Sequence, residues 1–183
     1  MKRKKLLPAI LLFTILGTAS FSYAQETPFR KGSVTANLGV GVGTNYNDSR
    51  NAFGTKGTLE FGIWPAGPGV VSLGIEAGAT FSSKNDSYLY NDYRSHTIVV
   101  AGRSAWHYGW KVNRLDTYAG VAAGVGFRHY DYNNGKHYEN NDAVPVFGGF
   151  VGASYFFTPA FGVNVEAGYD VTSLQAGVVF KLR

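Results

Sequence analysis

A strictly alternating stretch, Leu115 to His129, limits what this chain can fold into. Every second position from Thr117 to Phe127 is almost wholly apolar, and the positions between them are mostly glycine, with Tyr118 and Arg128 near the ends. A repeat of two predicts a β-strand with two unlike faces. Glycine weakens a strand that faces water, so the glycine face predicts a crowded interior. The apolar face must then meet either a protein core or lipid.

The same alternation recurs along the chain, with no helical segment between the repeats. Long polar segments at 44–56, 82–94 and 129–143 are predicted loops, and short turns separate the other pairs. Long loops at one rim, tight turns at the other and an even strand count are typical of transmembrane barrels. We therefore predict an all-β fold, an eight-stranded antiparallel up-and-down transmembrane β-barrel. The predicted strands begin near Val34, Leu59, Val71, Thr97, Leu115, Phe147, Val163 and Leu174.

The first 24 residues have the pattern of a cleavable signal peptide. A basic start, Met1 to Lys5, precedes the apolar run Leu6 to Leu16, and Ser22-Tyr23-Ala24 supplies small residues at a cleavage site. The run is short of the ~20 residues that a spanning helix needs, and the alternative is an uncleaved anchor. The expected organisation is a signal peptide at 1–24, a periplasmic lead-in at 25–31 and the barrel at 32–183.

Charge and cysteine content exclude several classes of function. The signal peptide carries four of the 17 basic residues, so 13 remain against 12 acidic ones, and the chain lacks the basic surface of a nucleic-acid-binding protein. There is no cysteine, hence no disulfide framework and no thiolate chemistry. A closed barrel in a membrane offers another source of stability, because every backbone group is paired.

Aromatic residues cluster where strands meet turns, as expected at a membrane–water interface. A soluble eight-stranded barrel with its apolar face inward is the rival fold. That fold would place many strand glycines in water, whereas a membrane barrel uses them to make room in a narrow lumen. The predicted interface aromatics are Trp64, Trp106, Tyr108, Trp110, Phe157 and Phe161.

Several motifs resemble the small OmpA/OmpX-like outer membrane β-barrel proteins, especially their Bacteroidetes-type members. The resemblance is carried by Arg103 with His107, by Asp116-Thr117-Tyr118-Ala119-Gly120, by Tyr155 to Pro159, by Glu166 to Tyr169 and by Gly177 to Lys181. It covers the expected mature chain, but each motif is a loose barrel pattern. It implies a multi-pass protein in the outer membrane of a Gram-negative cell, in contact with outer membrane lipids and the barrel-insertion machinery.

Ionisable residues on the inward parity predict a polar network in the lumen. Isolated charges are costly in a low-dielectric interior, so they should pair. Glu76 with Arg103 and Glu166 with Lys181 are the expected pairs, and Glu60 could share Arg103. Such a network is either a polar conduit or a salt-bridged plug, and an eight-stranded barrel leaves little free lumen. The expected members are Glu60, Glu76, Arg103, His107, Arg128, Glu166 and Lys181.

No motif in the chain points to catalysis or to a cofactor. Ser95-His96 occupies the kind of position that lipid A-modifying barrel enzymes use, but adjacent strand residues point to opposite faces. His129, Asp131, His137 and Glu139 share the third loop and could meet a metal there, which is the lesser alternative. We therefore expect no enzyme, no cofactor and no metal.

The long loops carry whatever recognition the chain performs. Asn, Asp, Ser and Tyr dominate them, and tyrosine supplies contact area at small entropic cost. We expect a monomer with a structural or surface-interaction role, binding an extracellular ligand or host surface. The alternatives are a lipid A-modifying enzyme and a narrow non-specific pore. The loop recognition candidates are Tyr88, Tyr90, Tyr93, Tyr130, Tyr132 and Tyr138.

Overall fold

Eight antiparallel strands form a closed ring in the computed structural model, which describes residues 28–43, 52–86, 91–133 and 137–183. Backbone alone is described at 83–86, 91–94, 130–133 and 137–140. Each strand pairs with the next, and the first pairs with the last from Thr35↔Lys181 to Val42↔Leu174. The predicted up-and-down barrel is confirmed. The strands are β1 Val34–Val42, β2 Ala52–Ala66, β3 Gly69–Asp86, β4 Asn91–Tyr108, β5 Leu115–Asn133, β6 His137–Phe156, β7 Phe161–Gly168 and β8 Leu174–Lys181.

The barrel is apolar outside and polar inside, the reverse of a water-soluble fold. Phe147 is 70% exposed and Val121 65%, while Lys56 and Glu76 are each 1% exposed. Alternation fixes this arrangement, because each step of one residue moves a side chain to the other face of the sheet. The predicted parity of β5 is confirmed: Val121 and Phe127 point outward, and Tyr118 and Ala122 are buried inside. An outer surface of this kind is stable only in lipid.

The central strands are longer than the sequence pattern predicted. The strands extend into all three predicted loops, so the predicted bounds of these loops are wrong. β2 begins at Ala52, within the predicted loop 44–56; β3 runs to Asp86, within 82–94; and β5 runs to Asn133, within 129–143. These strand ends carry polar residues on both faces, so they lack the alternation that marks a membrane-embedded strand. Residues 137–149 of β6 pair with β5 alone, because the pairing of β6 with β7 covers only Phe150 to Phe156. A sheet formed by β3 to β6 therefore projects past the shorter strands at the loop end.

The β7–β8 loop folds back into the lumen instead of extending outward. Asp170 and Val171 are fully buried, and Val171 packs with Val99 and Val146. Lumen glycines make room for this loop: a Cβ added at Gly148 would lie 1.9 Å from the Tyr169 carbonyl oxygen, and one at Gly78 would lie 2.7 Å from Val171. Gly148 and Gly78 thus allow the inserted segment to approach closely, whereas a Cβ at Gly120 or Gly124 of β5 would meet the backbone of β4.

The residues before β1 close the other end of the lumen. Phe29 is 4% exposed, and its ring stacks on His107 with the centroids 3.8 Å apart. Gly32 N–H donates to the Gly62 carbonyl (2.8 Å), and Gly62 N–H donates to the Ser33 carbonyl (2.9 Å), which fixes the segment against β2. The described part of the predicted lead-in, from residue 28 onward, therefore lies at the mouth of the barrel. Its first residues and the predicted signal peptide lie outside the described residues.

Among the described residues, no helix is long and apolar enough to cross a membrane. The finding concerns helices only.

Candidate functional site in the barrel lumen

Arg103 on β4 is the centre of the lumen network. Its guanidinium lies among three carboxylates: Nε is 3.3 Å from Glu60 Oε1, Nη1 is 3.1 Å from Glu76 Oε2 and Nη2 is 2.9 Å from Glu166 Oε2. Opposing charges must converge in this way because a charge without a partner is costly in the barrel interior. The predicted Glu76–Arg103 and Glu60–Arg103 neighbours therefore lie in contact, and Glu166 joins them from the far side of the lumen.

Lys56 provides a second positive charge from β2, although the sequence pattern predicts a loop at 44–56. Its Nζ contacts Glu166 Oε1 and lies 2.6 Å from Asp170 Oδ2. Glu166 thus bridges Lys56 and Arg103, and the two basic side chains hold four carboxylates between them. No local pattern marked Lys56 or Asp170, since one precedes the alternating part of β2 and the other lies in a turn.

Aromatic rings enclose this charged cluster on one side. Arg103 Cζ lies 3.8 Å from the centroid of the Phe150 ring, which provides a cation–π contact. Tyr118 packs beside the same ring, with centroids 6.2 Å apart. Gly152 makes this possible, because a Cβ there would lie 2.4 Å from the Tyr118 ring. The charges and rings together fill the cross-section of the barrel at this level.

A separate group around His107 lies between the Arg103 cluster and the lead-in. His107 Nδ1 is 2.8 Å from Asp116 Oδ2, and Nε2 is 3.1 Å from Ser72 Oγ. Ser72 Oγ donates to Glu60 Oε1 at 3.0 Å, which joins this group to the Arg103 cluster. Asp116 and Ser72 were not predicted as members of the network.

The Ser72–His107–Asp116 contacts have the outline of a hydrolytic triad but differ from one in the hydrogen bond of the serine. A nucleophilic serine must donate its proton to histidine, and here the Ser72 hydroxyl donates to Glu60. Ser72 is 0% exposed, and Phe29 covers the adjacent imidazole. The hydroxyl is therefore enclosed, and the group forms a polar layer between the Arg103 cluster and Phe29.

The Ser95-His96 pair is divided between the two faces of β4. Ser95 is buried toward the lumen, whereas His96 is exposed on the outside. Adjacent residues on a strand face in opposite directions, as expected. The two side chains therefore do not form a joint site.

Two other predicted members lie away from the Arg103 cluster. The predicted Glu166–Lys181 pair is wrong: Glu166 is opposite Gln175, and Lys181 lies six positions farther along β8, about 20 Å away. Lys181 is level with Thr35 at the turn end of the barrel. Arg128 lies near the loop end, opposite Thr97 and Asp142.

The predicted interface aromatics form a girdle on the outside of the turn end. Trp106 stacks on Tyr108 (5.5 Å between centroids), and Tyr108 contacts Trp110 (4.8 Å). Phe161 lies 6.4 Å from Phe157. Trp106 Nε1 donates to the Ala66 carbonyl (3.0 Å), and Trp110 Nε1 donates to Thr117 Oγ1 (2.7 Å). Trp64 is also exposed. Apolar rings with a satisfied N–H suit a membrane–water interface.

The loop recognition candidates cannot be placed as side chains. Tyr88 and Tyr90 lie outside the described residues, and at Tyr93, Tyr130, Tyr132 and Tyr138 only the backbone is described. The same holds for Asp131, His137 and Glu139 of the third predicted loop, so their relation to His129 is not described.

Solved structures with a similar fold are eight-stranded transmembrane barrels. The chain is similar to a de novo designed transmembrane β-barrel, with 19% identity, a TM-score of 0.50 and coverage of 84% of this chain and 98% of that one. It is similar to the N-terminal β-barrel domain of Pseudomonas aeruginosa OprF, with 16% identity, a TM-score of 0.50 and coverage of 83% and 98%. The attachment invasion locus protein Ail of Yersinia pestis gives 13% identity, a TM-score of 0.48 and coverage of 82% and 95%.

No family model matches the chain, and no curated protein matches it. The ring of eight strands, the apolar outer surface and the similar structures define the fold: an eight-stranded antiparallel transmembrane β-barrel. This fold fits a multi-pass β-strand protein of the outer membrane.

Proposed function

We propose that this chain is an outer membrane barrel with a structural and surface-interaction role, closed to solutes and without catalytic activity. The observation that carries the proposal is the filled lumen. Arg103, Lys56 and their four carboxylate partners occupy its centre, all of them at most 5% exposed. Paired charges occupy the interior of this barrel. Other molecules can therefore contact only its loops and its outer surface.

The inserted β7–β8 loop and the Phe29 segment support closure at both ends. Val171 packs with Val99 and Val146 on the loop side, and Phe29 covers His107 on the turn side. An ion crossing the barrel would have to displace both segments and break the Arg103 ion pairs. This supports a plug over the alternative of a narrow pore.

The projecting sheet of β3 to β6 supports surface interaction as the role. Its backbone pairing continues to Asn133↔His137, well beyond the end of β7 at Gly168. A paired sheet holds loop tips at a fixed height above the membrane, which lowers the entropic cost of ordering them in a complex. We infer that an extracellular ligand or host surface meets this region.

Trimming the β5–β6 hairpin tests the interaction role. Residues 131–139 are replaced by Asn-Gly, which favours a tight hairpin turn and keeps Tyr130 opposite Asn140. We expect attachment of expressing cells to epithelial monolayers and to glycan-coated plates to fall at least fivefold. The matched control replaces 45–50 by Asn-Gly in the β1–β2 connection. Equal attachment of both variants and the parent would contradict the role, provided that heat-shift gels show all three folded.

Conductance and lipid analysis test the two alternatives. In planar bilayers the purified chain should give no stepwise conductance, and steady channels would favour the pore. Lipid A mass spectra from cells with and without the gene should be the same, and an altered acyl pattern would favour the enzyme. If trimming the hairpin does not reduce attachment while the conductance and lipid results are as expected, the role of the barrel would be structural only.

A further inference from the structure

Two histidines lie side by side on the outer face at the loop end of the barrel. His96 on β4 is directly opposite His129 on β5, and His129 is directly opposite Asn141 on β6. The two imidazole rings have centroids 4.7 Å apart and are inclined by 36°. None of these residues belongs to the lumen network, because their strand parity is the outward one.

We propose that His96 and His129 form a binding site for a divalent transition-metal ion such as Cu²⁺ or Zn²⁺. An ion bound at ~2.1 Å from one nitrogen of each ring, with a near-tetrahedral angle, places the two ring centroids about 5 Å apart. The observed spacing of 4.7 Å is close to this value. Neutral imidazole is the ligand that zinc, copper and nickel share, and water completes the coordination.

Asn141 orients the His129 ring for this task. His129 Nδ1 lies 2.5 Å from Asn141 Oδ1. An amide oxygen only accepts hydrogen bonds, so Nδ1 carries a proton, and in the neutral ring the lone pair is then on Nε2. Metal-ligating histidines commonly donate their other N–H to an oxygen in this manner, which fixes the tautomer and the direction of the ring. Asn141 is thus a positioning residue and not a ligand.

The site lies at the edge of the apolar surface, where water can bring the ion. The preceding outward pair on the same two strands is Ile98 opposite Phe127, both exposed and apolar. His96 is itself exposed. An ion bound here would cross-link β4 and β5 just above the lipid, and would leave the closed lumen unchanged.

Titration of the untagged, folded full chain in detergent micelles tests the site. Isothermal titration with Cu²⁺ alone should give one ion per chain, and the electron paramagnetic resonance spectrum of the bound ion should show coupling to two imidazole nitrogens. His96→Gln and His129→Gln should each weaken binding at least tenfold. Asn141→Ala should weaken it about tenfold, as expected for loss of an outer-shell partner.

His137→Gln is the control, because it removes a histidine from the same hairpin whose backbone lies four positions along β6 from Asn141, about 13 Å away. It should change the dissociation constant by less than twofold. Wild-type affinity in His96→Gln would overturn the proposal, as would a spectrum with a single nitrogen ligand in the parent chain. Heat-shift gels on each variant establish that loss of binding is not loss of fold.

Discussion

Lys56 Nζ lies 2.6 Å from Asp170 Oδ2, and this contact fastens the β7–β8 loop inside the barrel. Lys56 lies on β2 and Asp170 in the β7–β8 turn, with β8 and β1 between them in the ring, and both are 1% exposed or less. The same ammonium group contacts Glu166, so one side chain neutralises two carboxylates. The position of the inserted loop therefore depends on a charge supplied from across the lumen.

Replacing Lys56 by Met should destabilise the folded barrel by about 3–5 kcal/mol, because it leaves a buried carboxylate without its partner. Urea unfolding in lipid vesicles, followed by tryptophan fluorescence, measures the change. Asp170→Asn and the double variant complete a mutant cycle. Residues in direct contact should couple by about 0.5–3 kcal/mol. Strictly additive losses would contradict the contact.

Arg103 should tolerate neither loss of charge nor loss of shape. Arg103→Met leaves three carboxylates facing one another and should cost about 3–5 kcal/mol or prevent folding. Arg103→Lys keeps the charge but lacks the planar set of N–H donors that reaches all three carboxylates. We therefore expect a loss of stability smaller than that of Arg103→Met. Refolding yield in detergent, measured by heat-shift gel, ranks the two against the parent. Equal yields of the Lys variant and the parent would show that the fork geometry is unimportant.

Acidic conditions should affect the Arg103→Met variant in a defined direction. Protonation neutralises a carboxylate, so the repulsion among Glu60, Glu76 and Glu166 falls as the pH is lowered. The yield of folded Arg103→Met should rise between neutral pH and about pH 4, while the parent gains nothing because its carboxylates lose their attraction to Arg103. A variant whose yield falls with the parent's would contradict the assignment of these three groups to one cluster.

Two adjacent glycines should differ sharply when replaced by alanine. A Cβ at Gly148 would lie 1.9 Å from the Tyr169 carbonyl oxygen, whereas one at Gly149 would have its nearest neighbour at 3.7 Å. Gly148→Ala should therefore displace the inserted loop and cost about 1–3 kcal/mol. Gly149→Ala is the matched control and should leave the free energy of unfolding within about 0.5 kcal/mol. Equal effects would mean that the loop does not contact β6.

Removing the Phe29 ring should release the segment that closes the turn end. Phe29→Ala loses the stacking on His107 that holds the segment in place. Arg30 and Lys31 are already exposed, so a protease can then bind the released segment in an extended form. Trypsin should cleave after Arg30 or Lys31 at least several-fold faster than in the parent, with the barrel intact. Phe29→Tyr, which keeps the ring, should behave like the parent. Equal cleavage rates in Phe29→Ala and the parent would contradict the capping role.

The membrane-embedded parts of this barrel were predictable from the sequence, and the contacts across its lumen were not. Alternation along Leu115–His129 determines which face meets lipid, because that pattern is local. Strand pairing also made Glu76 and Arg103 expected neighbours, since they lie on consecutive strands. Lys56, Asp170 and Phe29 were missed because each reaches its partner across the ring. Their positions depend on the stagger and closure of the barrel, which no local pattern contains.

Closure of the ring makes the barrel dependent on β8, the strand that pairs with β1. β1 pairs with β8, so Thr35 finds its neighbour only when Lys181 has been made and delivered. Loop closure over almost the whole chain is entropically expensive and slow, and comes late in assembly. A chain that ends before β8 would present two open strand edges to the bilayer, where unpaired backbone groups are costly. Completeness of the polypeptide is thus a condition of stable insertion, and truncated products should be selectively degraded.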